Sequence, residues 1–165
     1  MDLETKTVYL LLGSNLGDRR AVLDLALLRI GEMIGEISVV SSLYETAAWG
    51  NEDQPVFLNL AAGVITSLSP HQVLESTLAI EEELGRIRAE KWGARVIDID
   101  IILYGGQVVD DGERLQIPHP RMQDRKFVLV PMAEIAAEVQ HPLLHQNISD
   151  LLSILKDNLV VSKIS

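Results

Sequence analysis

Between Arg95 and Tyr104 the chain reads RVIDIDIILY, two aspartates set inside a run that is otherwise apolar and rich in β-branched residues. Residues i and i+2 of a β-strand project from one face at about 3.3 Å rise per residue, so Asp98 and Asp100 stand side by side about 6.6 Å apart, and Ile97, Ile99 and Ile101 take the other face. The isoleucine face needs a packed layer against it. The aspartate face cannot be buried bare, because adjacent carboxylates repel and their desolvation is costly. The isoleucine face can pack on helices, while the aspartates need cations beside them. On the Asp-x-Asp pattern alone, ion pairing on a solvated sheet face is the commoner outcome and a metal site the rarer one.

The rest of the chain alternates element types with no repeat, low-complexity tract or linker, as a single domain over residues 1–165 would. TVYLLLG is a short β-rich run closed by Gly13. SNLGDRR is a turn into a helix from about Arg19 to Met33, with Val22, Leu23, Ala26, Leu27 and Ile30 on one stripe. EISVVSSLYETAAW alternates as a strand, GNEDQP has turn chemistry, and VFLNLAAGVIT returns as the second strand of a hairpin-like pair. Ser69, Pro70 and Gln72 have the form of an N-cap, a first-turn proline and a capping-box partner, which predicts a helix to Leu84 stopped by Gly85. Beyond a basic loop come the aspartate strand, a small edge pair from QVV and LQIP, a helix in the region Phe127 to Ala137, and a C-terminal helix from about Ser149 to Asp157. The order β-α-β-β-α-β is that of a ferredoxin-like α+β sandwich, an antiparallel sheet with helices packed on one face.

Composition removes whole classes of function. At 165 residues, with 47% hydrophobic and 23% charged, usage is that of an ordinary globular chain. The apolar runs are too short to span a bilayer and MDLETK lacks the basic start and apolar core of a signal peptide, so a cytoplasmic protein with no membrane partner is expected. With no cysteine there is no thiolate nucleophile and no cysteine-based zinc site. A net charge of −10 argues against general nucleic-acid binding. Eight of the fourteen basic residues nevertheless fall between Arg86 and Lys126, which points to a small polyanion as the partner.

The company of the aspartates favours the rarer outcome. Hard oxygen ligands on a rigid strand suit Mg²⁺, which takes one or two protein carboxylates and completes its octahedron with water and phosphate oxygens. Immediately upstream, GRIRAEKWGAR supplies Arg86, Arg88, Lys91 and Arg95. A charge run is usually a solvated face. Carboxylates for magnesium and arginines for phosphate oxygens, on one strand and the loop feeding it, are also what transfer from a nucleoside triphosphate requires. No Walker loop is present, so arginines would hold the phosphates.

Four blocks, YLLLGSNLGDR, DQPVFLNLAAGV, LGRIRAEKWGARVIDIDIILYG and IPHPRMQDRKFVLVPMAEIA, together resemble the 6-hydroxymethyl-7,8-dihydropterin pyrophosphokinase family of folate biosynthesis, in family order from about Val8 to Pro142. The resemblance implies a ferredoxin-like fold and transfer of pyrophosphate from ATP to the pterin hydroxymethyl group, with AMP released and two Mg²⁺ ions bridging the triphosphate. It implies that Asp98 and Asp100 hold the metal, that Arg86 and Arg95 contact phosphates late in the cycle, and that Trp92 lies in a loop closing over the site. It places Glu81, Arg88, Trp92, Ile101, His119 and Arg125 around ATP. Around the pterin it places Thr46, Ala47, Trp49, Asn59 and Asp98, with Phe57 and Phe127 on the two faces of the flat ring. By pattern alone both phenylalanines would more often be plain core, and a lone histidine a core or turn residue. Gly13, Ser14 and Asn15 read as a structural turn.

The competing class is a non-catalytic ferredoxin-like module that binds nucleotide or pterin and regulates a partner, which the fold alone would permit. A metal-dependent phosphoester hydrolase on the same aspartates is a second alternative, one that would not require paired rings. Retention of both aspartates, both arginines and both rings favours the kinase. Small-molecule substrates, a monomeric state and no nucleic-acid partner are the corresponding expectations.

Overall fold

The computed structural model describes residues 4–15, 17–46, 56–87, 96–157 and 159–164, with the backbone alone at 86 and 87. Along the chain run β1 (Lys6–Ser14), α1 (Arg19–Met33), β2 (Glu36–Val40), β3 (Tyr44–Thr46), β4 (Phe57–Thr66), α2 (Pro70–Ile87), β5 (Asp98–Tyr104), β6 (Val109–Asp111), β7 (Leu115–Ile117), α3 (Lys126–Ala136), α4 (Ile148–Ile154) and β8 (Val161–Lys163). The main sheet has the order β5-β1-β4-β3-β8, with β2 beside the other half of β4, and its pairings are antiparallel. β6 and β7 form the separate edge pair that QVV and LQIP predict.

Local chemistry sets the helix starts. The Asp18 side chain accepts from the Ala21 amide and caps α1. At α2 the capping box is reciprocal: the Gln72 amide donates to Ser69 Oγ at 3.2 Å and the Ser69 amide donates to Gln72 Oε1 at 2.8 Å. The helix does not stop at Gly85 but continues to Ile87. A glycine permits a left-handed cap without compelling one, and inside a helix it costs only about 1 kcal/mol. Buried Ile80 and Leu84 hold those turns against the sheet.

Helices cover both faces of the sheet, not one. α1 and α2 pack with Leu10, Leu12, Leu60, Val64, Ile99 and Ile101. α3 and α4 pack on the opposite face with Leu11, Ala61, Ile102 and Leu103. The reason lies in β1 and β4, whose apolar residues occupy successive positions and so leave neither face fit for water. The strand region EISVVSSLYET is also divided, β2 and β3 pairing with successive halves of β4 on either side of Ser41–Ser42. The C-terminal β8 is an addition to the expected topology; at three residues it is too short to show a period.

A register shift between β1 and β5 at Tyr9/Leu10 leaves Ile102 as an extra residue. Such a bulge changes the phase of the strand. Ile102 and Leu103 therefore both enter the α3/α4 core while Tyr104 returns to the α1/α2 side. Before the bulge, Ile97, Ile99 and Ile101 face α1 and α2, as the alternation requires.

Candidate active site

Strand register assembles the floor of a cleft at one end of the sheet. Gly13 of β1 lies opposite Asp98 on one side and Asn59 on the other, and Asn59 lies opposite Tyr44. One step along, Leu11 lies opposite Asp100 and Ala61. One carboxylate and a carboxamide thus flank a position without a side chain, and the second carboxylate lies beside Leu11. A Cβ added to Gly13 would sit 2.5 Å from Asn59 Oδ1, so glycine is required by close approach rather than by backbone conformation. Asn59 is buried and its Nδ2 donates to Thr46 Oγ1 at 3.4 Å, a long contact that leaves the amide capacity for a further partner.

A first cavity of about 260 Å³ stands on this floor, lined by Leu11, Gly13, Thr46, Phe57, Asn59, Asp98, Asp100, Arg125, Phe127 and Leu159. Phe57 opens β4 and Phe127 is the second residue of α3, so the rings reach the pocket from the sheet and from the helix above it. The Arg125 guanidinium lies 5.7 Å from the Phe127 ring centroid, a cation–π arrangement that orients both. The start of α3 is fixed by Asp157, whose Oδ2 accepts from the Lys126 amide at 3.2 Å.

A second cavity of about 520 Å³ shares Asp98 and Asp100 with the first and extends past Ile101, Glu81, Thr77 and His119 to the β6–β7 hairpin. Glu81 Oε2 accepts from the Ile99 amide at 2.7 Å, tying α2 to the outer edge of β5 between the two aspartates. His71 and Asp111, 3.0 Å apart, tie the hairpin to the start of α2. His119 Nδ1 accepts from the Arg121 amide at 3.2 Å, which places the proton of the neutral ring on Nε2. Burial pushes the His119 imidazole below the ordinary histidine value; Asp100 acts in the opposite sense, while Arg125 and Arg121 reinforce the lowering.

The structure brings together most of the residues that the sequence singles out. Thr46, Phe57, Asn59, Phe127, Asp98 and Asp100 line the first cavity, and Glu81, Ile101, His119 and the same two aspartates line the second. Arg125, expected around the nucleotide, lines the ring-bearing cavity, since the residue before α3 is held beside Phe127. Ala47, Trp49, Arg88, Trp92, Arg95 and the Arg86 side chain lie outside the described residues. Missing from the expectations were Leu11, Leu159, Thr77 and the hairpin residue Gln116, while the hairpin residue Arg114 was counted only as one of the eight clustered basic residues. Gly13, read as part of a structural turn, also lines the pocket; the clue available in advance was a glycine at the end of an otherwise bulky strand.

Comparison with known proteins finds relatives over most of the chain. A family model described as 7,8-dihydro-6-hydroxymethylpterin-pyrophosphokinase matches residues 9–137. A Methylorubrum extorquens protein named 2-amino-4-hydroxy-6-hydroxymethyldihydropteridine pyrophosphokinase is 50% identical over 133 residues, covering 79% of this chain and 83% of the relative. A Bacillus subtilis protein of the same name is 46% identical over 133 residues, covering 80% and 79%. Among solved structures, the wild-type HPPK-DHPS of Plasmodium falciparum superposes with a TM-score of 0.72 at 18% identity, covering 92% of this chain and 45% of that longer one. At that identity the likeness speaks for the fold.

Proposed function

This chain belongs to the 7,8-dihydro-6-hydroxymethylpterin-pyrophosphokinase family, and from that premise we propose how its two-part cleft performs the family's reaction. The enzyme transfers pyrophosphate from ATP to 6-hydroxymethyl-7,8-dihydropterin, giving the diphosphate ester and AMP, a step of folate synthesis. The observation that carries the assignment of roles is that Asp98 and Asp100 line both cavities at once, the aromatic one and the one beside His119 and Glu81. Acceptor and triphosphate meet across the aspartates.

Phe57 and Phe127 hold the flat acceptor, and Asn59 and Thr46 read its polar edge. The acceptor hydroxyl oxygen attacks the β-phosphorus, the bond from that phosphorus to the α–β bridging oxygen breaks, AMP leaves, and the hydroxyl proton is released. His119 presents Nε2–H to anionic phosphate, and Arg125 supplies fixed positive charge beside the acceptor. Ile101 and Glu81 border the nucleotide.

The donor set fits magnesium: Asp98 and Asp100 offer hard carboxylate oxygens, and no group of three or more metal-binding side chains occurs among the described residues, so phosphate oxygens and water would complete the coordination. Two Mg²⁺ ions held there would screen the triphosphate and the charge that develops on transfer. A non-catalytic binding module is not favoured, because the family model and the named relatives are pyrophosphokinases. The deciding assay follows nucleotide products from ATP and Mg²⁺ with and without the acceptor. AMP formed only with acceptor is expected, and ADP or acceptor-independent hydrolysis would overturn the reading.

A further inference from the structure

We propose that residues 159–164 form a strap completing the acceptor pocket, and that Leu159 is a specificity-determining residue for the acceptor; the inference rests on the reaction assigned above. The family model matches residues 9–137, so the strap lies wholly beyond the matched region. It is nevertheless built into the cavity, where Leu159 lines the same space as Phe57, Phe127 and Asn59.

Both ends of the strap are fastened to elements that carry pocket residues. At one end the Asp157 carboxylate accepts from the Lys126 amide through Oδ2 at 3.2 Å and from the Leu159 amide through Oδ1 at 2.9 Å. One side chain thereby holds both the start of α3, next to Phe127, and the backbone of Leu159. At the other end β8 pairs with β3, with Val161 opposite Thr46, and the Ile164 amide donates to the Leu43 carbonyl at 2.9 Å. Leu159 sits between these fastenings and is only half-buried, so apolar surface remains to be covered.

The chemistry that suits this wall is a flat heteroaromatic ring. Two phenylalanines supply ring contacts, Asn59 and Thr46 read a polar edge, and an aliphatic wall excludes water from that edge. Excluding water strengthens those hydrogen bonds and penalises acceptors whose shape leaves the wall uncovered. The nucleotide cavity does not include Leu159, so the effect is confined to one substrate.

Titration calorimetry on the full chain, with 6-hydroxymethyl-7,8-dihydropterin and separately with Mg²⁺ and a non-hydrolysable ATP analogue, tests this on Leu159→Ala, Leu159→Phe and Asp157→Asn. Leu159→Ala should raise the acceptor Kd roughly tenfold, the usual scale for apolar groups lost from a pocket. Its Kd for the nucleotide should stay within about twofold of wild type, and in turnover KM for the acceptor should rise while kcat holds. Leu159→Phe, an opposite change in volume, should also weaken the acceptor alone, and Asp157→Asn should follow Leu159→Ala. Acceptor affinity unchanged in both Leu159 variants, or equal losses for both ligands tracking a loss of thermal stability, would overturn the proposal by reducing the strap to a structural anchor. A wild-type protein that neither binds the acceptor nor forms AMP would overturn the assigned reaction instead, and the inference with it.

Discussion

Asn59 Oδ1 occupies the space that a side chain on Gly13 would need, the ideal Cβ position lying 2.5 Å from it. The two residues are register partners on β1 and β4, and Asn59 is further held by Thr46. Gly13→Ala must therefore push the carboxamide aside or move one strand. Because Asn59 sits in the acceptor cavity, the expected outcome is a rise in acceptor KM of roughly tenfold or more, with a stability loss of about 1–3 kcal/mol from overpacking. Steady-state kinetics with acceptor and ATP varied separately, together with urea unfolding, check it. Normal acceptor KM would show that the amide does not read the pterin edge.

The aspartate pair makes a prediction of opposite signs. Asp98 and Asp100 are half-buried neighbours on one face of β5. Without metal, Asp100→Asn removes like-charge repulsion, so thermal stability should hold or rise by about 0.5 kcal/mol. With Mg²⁺ and an ATP analogue the wild type should gain stability by ligand linkage and the variant should gain far less. Turnover should fall by about a thousandfold, the scale seen when stabilisation of developing charge is lost. Melting curves with and without Mg²⁺ and nucleotide separate these effects. An equal ligand-induced shift in both proteins would return the pair to ordinary surface charge.

What was legible in the sequence was whatever a local rule governs. The period-2 alternation of RVIDIDIILY fixed which face of β5 carries the aspartates, and Ser69, Pro70 and Gln72 announced the start of α2. Of the residues carried by the family blocks, Phe57, Asn59 and Phe127 line one cavity and His119 the neighbouring one, the two joined at Asp98 and Asp100. What stayed hidden depends on long-range register. Nothing near Gly13 announces Asn59 beneath it, and nothing near Val161 announces β3 as its partner. The second helical layer was equally hidden, since an apolar run in β1 tells that both faces are covered only once its neighbours are known.

Glu81 tests whether the metal-bearing strand depends on α2. Its carboxylate accepts the Ile99 amide at 2.7 Å on the outer edge of β5, so that backbone group is satisfied by a side chain instead of another strand. Glu81→Ala should cost about 1.5–3 kcal/mol, the usual range for a charged hydrogen-bond partner lost to a backbone amide. Glu81→Gln, which retains an acceptor oxygen, should recover much of that. Because the strand carries the aspartates, the alanine variant should also bind nucleotide with Mg²⁺ more weakly than the glutamine variant. Chemical denaturation paired with nucleotide titration distinguishes the two, and identical behaviour of both variants would remove Glu81 from the positioning of β5.

The pH dependence of stability is set in part by His141, which lines neither cavity of the cleft. Its ring is buried, and burial, with a smaller contribution from His145, pushes its pKa below the ordinary histidine value. Nδ1 accepts from the amides of Leu143 and Leu144 at 3.2 and 3.1 Å, so a proton on that nitrogen would face two donors. The unfolded chain binds this proton more readily than the folded one. Stability is therefore fully present above the ordinary histidine value and is lost as pH falls from there through the lowered folded value. His141→Asn offers Oδ1 as an acceptor in place of Nδ1 and cannot titrate. Its unfolding free energy should change less between about pH 8 and pH 5 than that of the wild type. His119 shifts in the same direction, so the flattening should be partial. Urea unfolding at the two pH values measures the difference, and an unaltered slope in His141→Asn would mean that the imidazole already accommodates its proton in the folded state.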